Sequence, residues 1–448
     1  MIAVTHPQIR TARRRLRPSA RLVAATFLVV NVAAVHLLFV LAGPANNTFG
    51  SLGRLLGLYL AFALAVQLLL IARLPLLDRG IGMDRLTGWH RWTGFVIFWC
   101  AVLHPTFVIL GFARYDGVPF LRTALTLFGQ LPVLLGLIAA GLIVLIVALS
   151  VRIARRRLSY ETWHAVHLLM YAVVTLGVIH QVYEGTAFTV TVGAQVYWWG
   201  LWAFAVGALV TGRLIVPLAR NARHRLRVAA VVPEADDVVS VHVTGRDLHR
   251  LDVRAGQFFL WRFPGHNRWW QVNPFSLSAA PNGRSLRLTA KGIGTTSAGL
   301  RDLPVGAKVF AEGPYGAFTL DHRRGTGTLL IAGGIGITPI RSLLEDPALG
   351  PDAVVIYRVR RAADAVLLGE LRNLARANGA RLHLLTGRTG GANQPFLPAN
   401  LQKLVPDVTS RDVFVCGPAP LTTAVLDCLR KLKVPPRQIH AELFRLAA

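Results

Sequence analysis

Apolar and polar positions follow two different periods along this chain. In the first half, long apolar stretches recur at about residues 22–42, 53–74, 92–112, 131–151, 165–183 and 195–217. Each is long enough to cross a ~30 Å hydrocarbon layer as a helix, so the pattern predicts six membrane-spanning helices. After about residue 225 the period shortens. VVSVHV, FFLWRF, SLRLTAK and AKVFAEG are separated by Gly, Pro and Asn, which predicts a small antiparallel β-barrel. From about residue 327 the order becomes strand, glycine turn, helix, in TLLIAGGIGITPIRSLLED. AVVIYRV, RLHLLTG and DVFVCGP read as further strands, with AVLLGELRNLARANGA as a helical stretch between. That pattern predicts a parallel α/β sheet of nucleotide-binding type. The expected organisation is a basic N-terminus (1–21), a six-helix transmembrane bundle (22–217), a barrel domain (218–321) and an α/β domain (322–448).

Charge orients the predicted helices. The 448 residues carry 49 Lys and Arg against 22 Asp and Glu, a net charge of +27. In a soluble protein such a balance would suggest nucleic acid. Here 53% of the residues are hydrophobic and the Arg clusters sit between apolar stretches, so a membrane explains the N-terminal share and no nucleic-acid partner is expected. Loops 10–21, 73–91, 152–160 and 213–227 are basic, whereas 43–53, 113–123 and 183–193 are nearly uncharged. The two kinds alternate, which predicts a multi-pass protein of the cell membrane with both termini cytoplasmic. The first apolar stretch is long for a signal sequence and ends in no small-residue cleavage site, so it is expected to remain as a helix. Cys100, Cys416 and Cys428 lie far apart and form no CxxC, which supports neither a disulfide framework nor a thiolate metal site.

Four histidines stand out within the apolar stretches. His90 and His104 are 14 residues apart in one, and His167 and His180 are 13 apart in another. At ~1.5 Å per residue each pair spans roughly 20 Å along a helix. Segments three and five run in the same direction, so His90 matches His167 in depth and His104 matches His180. Neutral imidazole is a usual axial ligand of haem iron. The spacing therefore predicts two bis-histidine haem sites, the first near the cytoplasmic face. A spacing of 14 keeps His90 and His104 on nearly one helix face, whereas 13 rotates His180 away from His167 and requires some bending of the helix or a rotated haem. Pro105 is a place where segment three can bend. His164, one turn from His167, is a rival for the inner site, and His36 has no depth-matched partner. Arg54 opens segment two on the outer side, where it either attracts an anionic acceptor or snorkels to the interface.

The loop AGGIGITP (332–339) follows a strand and opens a helix. Its glycines let the backbone approach a pyrophosphate, whose charge the helix N-terminus favours. It is not the GxGxxG fingerprint, and a tight strand–helix turn would look the same.

In chain order stand NPFSLSAAP (273–281), KGIGTTSAGL (291–300), EGPYGAF (312–318), GGIGITP (333–339), CGP (416–418) and ELF (442–444). With the histidine spacings and YETWHAVH, these resemble the ferredoxin–NADP reductase superfamily fused to a ferric-reductase-like transmembrane domain, as in ferric reductases and NADPH oxidases. The resemblance implies that the barrel binds FAD. Asn273, Pro274, Phe275, Ser276 and Leu277 would line the flavin ring, with Ser276 bonding its reactive nitrogen, and Asn273 standing where eukaryotic relatives usually carry His. Gly292, Thr295, Thr296 and Ser297 would form the turn for the FAD pyrophosphate. Gly334, Gly336, Thr338 and Pro339 would cradle the nicotinamide nucleotide. Cys416, Gly417 and Pro418 would border the nicotinamide, with Cys416 a soft contact and not a nucleophile. Phe444 would cover the flavin until nicotinamide displaces it. Ser276, Cys416 and Phe444 are thus the expected catalytic residues. Tyr357, Arg358, Arg360 and Arg361 follow a strand where an adenosine 2′-phosphate would lie, and no acidic residue there suits a ribose hydroxyl, so NADPH is expected over NADH.

The expected activity carries electrons from cytoplasmic NADPH through FAD and two b-type haems to an acceptor outside. Ferric chelates are favoured over dioxygen, because no second His follows His104 by one turn; a redox protein is a further candidate acceptor. The competing readings are a superoxide-producing NADPH oxidase, a non-enzymatic membrane haem carrier, and a haem-free flavoprotein on a membrane anchor. A haem carrier leaves the flavin and nucleotide motifs unexplained.

Overall fold

The computed structural model describes residues 20–151, 160–266, 272–387 and 394–443. The arginines before residue 20 and most of the basic loop 152–160 lie outside that range. Among the described residues, six helices are long and apolar enough to cross a membrane: Leu22–Leu41, Thr48–Ile71, Arg85–Asp116, Leu131–Ser150, Thr162–Glu184 and Val192–His224. Large apolar side chains such as Val29, Val40, Leu145 and Val196 stand exposed on them, a surface that only lipid or protein covers favourably. The chain is a multi-pass membrane protein.

The chain divides into two compact units. One comprises Met1–Val66, Trp92–Val147 and Leu169–Trp202. Its helices approach closely where a residue has no side chain. A Cβ at Gly53 would lie 2.8 Å from the backbone nitrogen of Val108, so this crossing needs glycine. Asn47 Nδ2 donates to the Gly111 carbonyl at 2.7 Å, and the Tyr197 hydroxyl to Asn31 Oδ1 at 3.1 Å. Helix Met83–Asp116 continues through Pro105, which removes one helical hydrogen bond. The fifth segment is two helices, Tyr160–His167 and Met170–Glu184, with a turn between. Of the two ways to accommodate the 13-residue spacing, the turn supplies a bend in the helix.

The other unit comprises Gln67–Arg91, Ala148–Leu168 and Ala203–Ala448. Strands β1 (Arg227–Ala235), β2 (Val238–Thr244), β3 (Phe258–Arg262), β4 (Asn273–Ser276), β5 (Ser285–Lys291) and β6 (Phe310–Tyr315) form two antiparallel sheets, ordered β1-β2-β5 and β4-β3-β6. Single bridges, Arg227 to Lys308 and Leu277 to Leu288, join them at two corners. This is the expected barrel, opened into two three-stranded sheets around Phe259, Trp261, Leu277, Leu288 and Leu300.

Strands β7 (Gly327–Gly333), β8 (Val354–Arg358), β9 (Arg381–Leu385), β10 (Arg411–Gly417) and β11 (Ile439–Leu443) form a parallel sheet ordered β11-β10-β7-β8-β9. Strand side chains alternate between faces, and the two cores divide accordingly. Leu330, Ala332, Val355, Phe414 and Cys416 face helices Ile337–Glu345 and Leu368–Ala377. Leu329, Ile331, Val354, Val413 and Val415 face helices Pro398–Leu404 and Ala419–Lys431. The order reverses between β7 and β10, which makes their C-terminal ends the switch point where such sheets bind ligands.

Ion pairs fix the unit's parts together. Arg287 on β5 grips both oxygens of Glu370 at 2.9 and 3.0 Å, and Arg341 Nε reaches Glu370 at 2.7 Å. Arg341 also pairs with Glu345, which accepts the Ala280 N–H at 2.6 Å. At β6, Glu312 pairs with Arg262 and with Arg73 at 2.6 Å, while Asp78 accepts the Gly316 N–H at 3.0 Å. Arg73 and Asp78 come from the basic loop after the second apolar segment, where Pro75–Ile81 forms a short helix.

Candidate functional site

The structure brings His104 close to His180, and His90 close to His167. His104 and His180 have ring centres 6.2 Å apart, inclined at 65°. His104 Nδ1 contacts the Gly53 carbonyl at 2.8 Å, and His180 Nδ1 the Pro132 carbonyl at 2.9 Å. A ring whose Nδ1–H is held by a carbonyl presents Nε2 as its lone-pair nitrogen, the tautomer that ligates a metal. Two glycines make room for these rings. A Cβ at Gly57 would lie 2.8 Å from His104 Cε1, and one at Gly136 would lie 2.8 Å from His180 Cγ. A cavity of about 430 Å3 opens beside both histidines and is lined in part by Arg54, Asn46, Gln130 and Glu184. Arg54 donates to the Gly43 carbonyl at 2.9 Å.

His90 and His167 repeat the arrangement, with ring centres 6.1 Å apart at 65°. Trp163 stacks on His167 at 5.1 Å, and Gln67 Nε2 donates to the His90 carbonyl at 3.0 Å. The Nδ1 atoms of both rings are buried without a hydrogen-bond partner. His164 lies beside Trp163 at 6.4 Å; the ring that meets His90 is that of His167.

Imidazole nitrogen ligates a first-row transition metal at ~2.0–2.1 Å, and the ring centre lies about 1.1 Å behind it. Two imidazoles on opposite sides of one ion therefore have centres roughly 6.3 Å apart. Both pairs, at 6.1 and 6.2 Å, stand at that separation. Among the described residues, no group of three or more His, Cys, Asp or Glu could hold a metal ion. A metal held by either pair would therefore need further donors from a group bound with it, which haem would supply.

In the second unit, Asn273–Ser276 is strand β4, paired with β3 through Phe275 and Phe259. Ser276 is 2% exposed and its hydroxyl has no hydrogen-bond partner. An orphan buried hydroxyl needs an acceptor or donor from outside the protein, and a flavin ring nitrogen fits that need. Pro274 is exposed, Phe275 is half-buried against the core, and Leu277 lies within it. Gly292 donates its N–H to Asp237 at 2.7 Å, and Ser297 Oγ accepts from Ile293 and Gly294 at 3.0 and 3.1 Å. The Ser297 hydroxyl thus shapes the turn that opens the short helix Thr295–Ala298.

At the switch point, β7 runs through a 3-10 turn (Gly334–Gly336) into helix Ile337–Glu345. Gly334 has φ +53°, and a Cβ at Gly336 would lie 2.3 Å from the Cys416 carbonyl. Both positions therefore require glycine. Thr338 is buried and its hydroxyl donates to Ile335 at 3.1 Å, while Pro339 packs beside it. Cys416, Gly417 and Pro418 end β10 next to this turn. Cys416 is fully buried. Burial, and then the neighbouring Glu442 carboxylate, push its thiol well above the usual range, which keeps it protonated and not nucleophilic. Arg358, at the end of β8, is buried and donates to the Thr386 carbonyl. Arg360 is exposed, and Arg361 pairs with Asp364 at 2.8 Å. Phe444 lies outside the described residues.

Residues 56–178 match the family model described as a ferric reductase like transmembrane component, and residues 330–427 match an oxidoreductase NAD-binding domain. The first match contains His90, His104 and His167; the second contains the Gly334 turn and Cys416. One segment of the chain is thus similar to ferric-reductase-like transmembrane components and another to NAD-binding domains of oxidoreductases. Relatives of this chain include the ferredoxin reductase component of 3-ketosteroid-9-alpha-monooxygenase from Mycobacterium tuberculosis, 34% identical over 237 residues, or 49% of this chain and 65% of the relative. The reductase component of propane 2-monooxygenase from Mycolicibacterium goodii is 28% identical over 49% of this chain and 67% of its own length. Among solved structures, an Amycolatopsis cytochrome P450 reductase is 26% identical, covers 50% of this chain and 70% of its own, and has a TM-score of 0.43. The chain thus spans about two thirds of the curated relatives it matches.

Glu442 was not singled out by sequence reasoning, although it stands in the ELF motif. It faces Cys416 in the register of β10 and β11, a neighbour that only parallel strand pairing reveals. Gly57 and Gly136 were missed as well. The run GSLGRLLG (50–57) carries glycines at helical spacing, and that was the available signal for Gly57.

Proposed function

We propose that this chain is a transmembrane oxidoreductase that takes electrons from NADPH at the cytoplasmic face and delivers them across the cell membrane, with ferric chelates as the favoured acceptor. The observation that carries the reading is the pair of His–His separations, 6.1 and 6.2 Å, on one set of membrane helices. His90 with His167 would hold an inner b-type haem, and His104 with His180 an outer one. FAD would lie against β4, with the unpartnered Ser276 hydroxyl directed to its ring. NADPH would sit on the Gly334–Gly336 turn, with Arg358 and Arg360 toward its 2′-phosphate. Bound there, a flavin takes up a hydride and gives up electrons singly, and haem iron carries single electrons.

The protein's own part is to bind and orient. Gly53 and Pro132 hold the outer imidazoles in the ligating tautomer. The buried, protonated Cys416 offers the nicotinamide a soft neutral wall and no competing nucleophile. With the cytoplasm negative, each electron moved outward gains ~2.3 kcal/mol per 100 mV. The test is spectroscopic. Purified protein should show six-coordinate haem bands with flavin absorbance, and anaerobic NADPH should reduce the haem. Reoxidation by a ferric chelate without oxygen supports the favoured acceptor. NADPH consumption that occurs only with oxygen overturns it, and a protein without haem bands overturns the whole reading.

A further inference from the structure

A second cavity, of about 230 Å3, lies in the helical unit between residues 178–182 and 188–202. Its lining includes Phe188, Trp198, Trp199 and Trp202. Trp198 is 1% exposed, and its indole N–H has no hydrogen-bond partner. Its ring stacks on Phe188 at 4.3 Å and 15°. Neighbouring Trp202 has its N–H taken by Gln181 at 3.3 Å. One of two buried indoles in one wall is therefore satisfied and the other is not. Burying an N–H without an acceptor costs about 1–3 kcal/mol, which a ligand's acceptor atom would recover.

The lining restricts the ligand. It holds no Lys, Arg or His, so an anionic chelate would lose its hydration without a countercharge. Four aromatic rings favour a flat π-system. The volume is below the ~300 Å3 of an ordinary small-molecule site, which limits the ligand to one or two rings. Val182, Thr189 and Trp199, from three different helices, are exposed at its rim, which gives an apolar ligand a way in from outside the helices. Gln181 and Phe188 also line the larger cavity beside His180.

We propose that this cavity binds the head of a small neutral quinone, with a ring carbonyl accepting from Trp198 Nε1, as a second, lipid-side electron acceptor. This rests on the oxidoreductase reading above for its electrons. The quinone takes two electrons and two protons, each carbonyl oxygen becoming a hydroxyl, while NADPH becomes NADP+ and a second proton comes from water. Full-length protein in lipid nanodiscs, titrated calorimetrically with menadione, reads binding without turnover. Saturable binding is expected, weakened about tenfold by Trp198→Phe, which keeps the ring but loses the N–H. Val178→Phe, which fills the cavity, should abolish it. Absence of binding to the native protein, or binding that neither substitution alters, overturns the site. Wild-type binding lost in the variants, with haem that NADPH fails to reduce, upholds the site and overturns its electron source.

Discussion

His104 and His180 each commit Nδ1 to a backbone carbonyl, which leaves Nε2 as the lone-pair nitrogen of each ring. The sequence showed the pairing of depths but not these carbonyl partners, because Gly53 and Pro132 lie on other helices. His104→Leu or His180→Leu should remove about half of the haem absorbance and leave the inner site filled; a full complement in either variant would contradict the assignment. At the inner site, His167→Leu should abolish NADPH-driven haem reduction and His164→Leu should not, since His167 is the ring that meets His90. Quantitative difference spectra separate the two. In the nucleotide lobe, Arg360→Ala should raise KM for NADPH roughly 10- to 100-fold with little change for NADH, as loss of a charge-assisted contact does. Cys416 carries a thiol raised by burial, so its alkylation by iodoacetamide should stay negligible through pH 9, and a pH-dependent onset near 8 would contradict its surroundings.

Helices and sheets were legible to different degrees. The six spans declared themselves because lipid imposes length and apolarity on each segment separately. The parallel sheet was legible from its buried runs and glycine turn. The short helices Pro75–Ile81 and Phe120–Phe128 were read as loop, since one or two turns leave little periodic signal. The barrel became two sheets joined by single bridges, a matter of long-range pairing that local alternation does not encode. Glycines at 57 and 136 matter at this scale, for they admit imidazoles between helices. Gly57→Val should therefore displace His104 and lower outer-haem occupancy without preventing membrane insertion, as haem content per flavin would report. Between β5 and the neighbouring helices, Glu370 is held by Arg287 and Arg341. Burial alone would raise its carboxyl, but the two guanidinium groups outweigh that and hold it below the ordinary value of 4.5. A depressed folded pKa gives stability that is present above 4.5 and lost as pH falls through the lower folded value. Acid unfolding followed by flavin release should accordingly shift to lower pH in the wild type than in Glu370→Gln.

Across the whole molecule, the proposed function joins the flavin and nucleotide motifs to the histidine pairs as their donor and takes its direction from loop charge. The glycine turn at 334–336 was readable because it lies in one short stretch between a strand and a helix. Glu442 was not, because its place beside Cys416 depends on β10 and β11 pairing. The cavity beside His104 and His180 is the least local feature of all, because residues far apart in the chain line it. The central claim is that electrons cross the membrane. Proteoliposomes with the nucleotide lobe outward, a membrane-impermeant ferric chelate sealed inside and NADPH added outside test it most directly. Ferrous iron should appear in the sealed compartment and fail to appear with His104→Leu. Ferrous iron formed only from chelate added outside, on the NADPH side, would contradict the account.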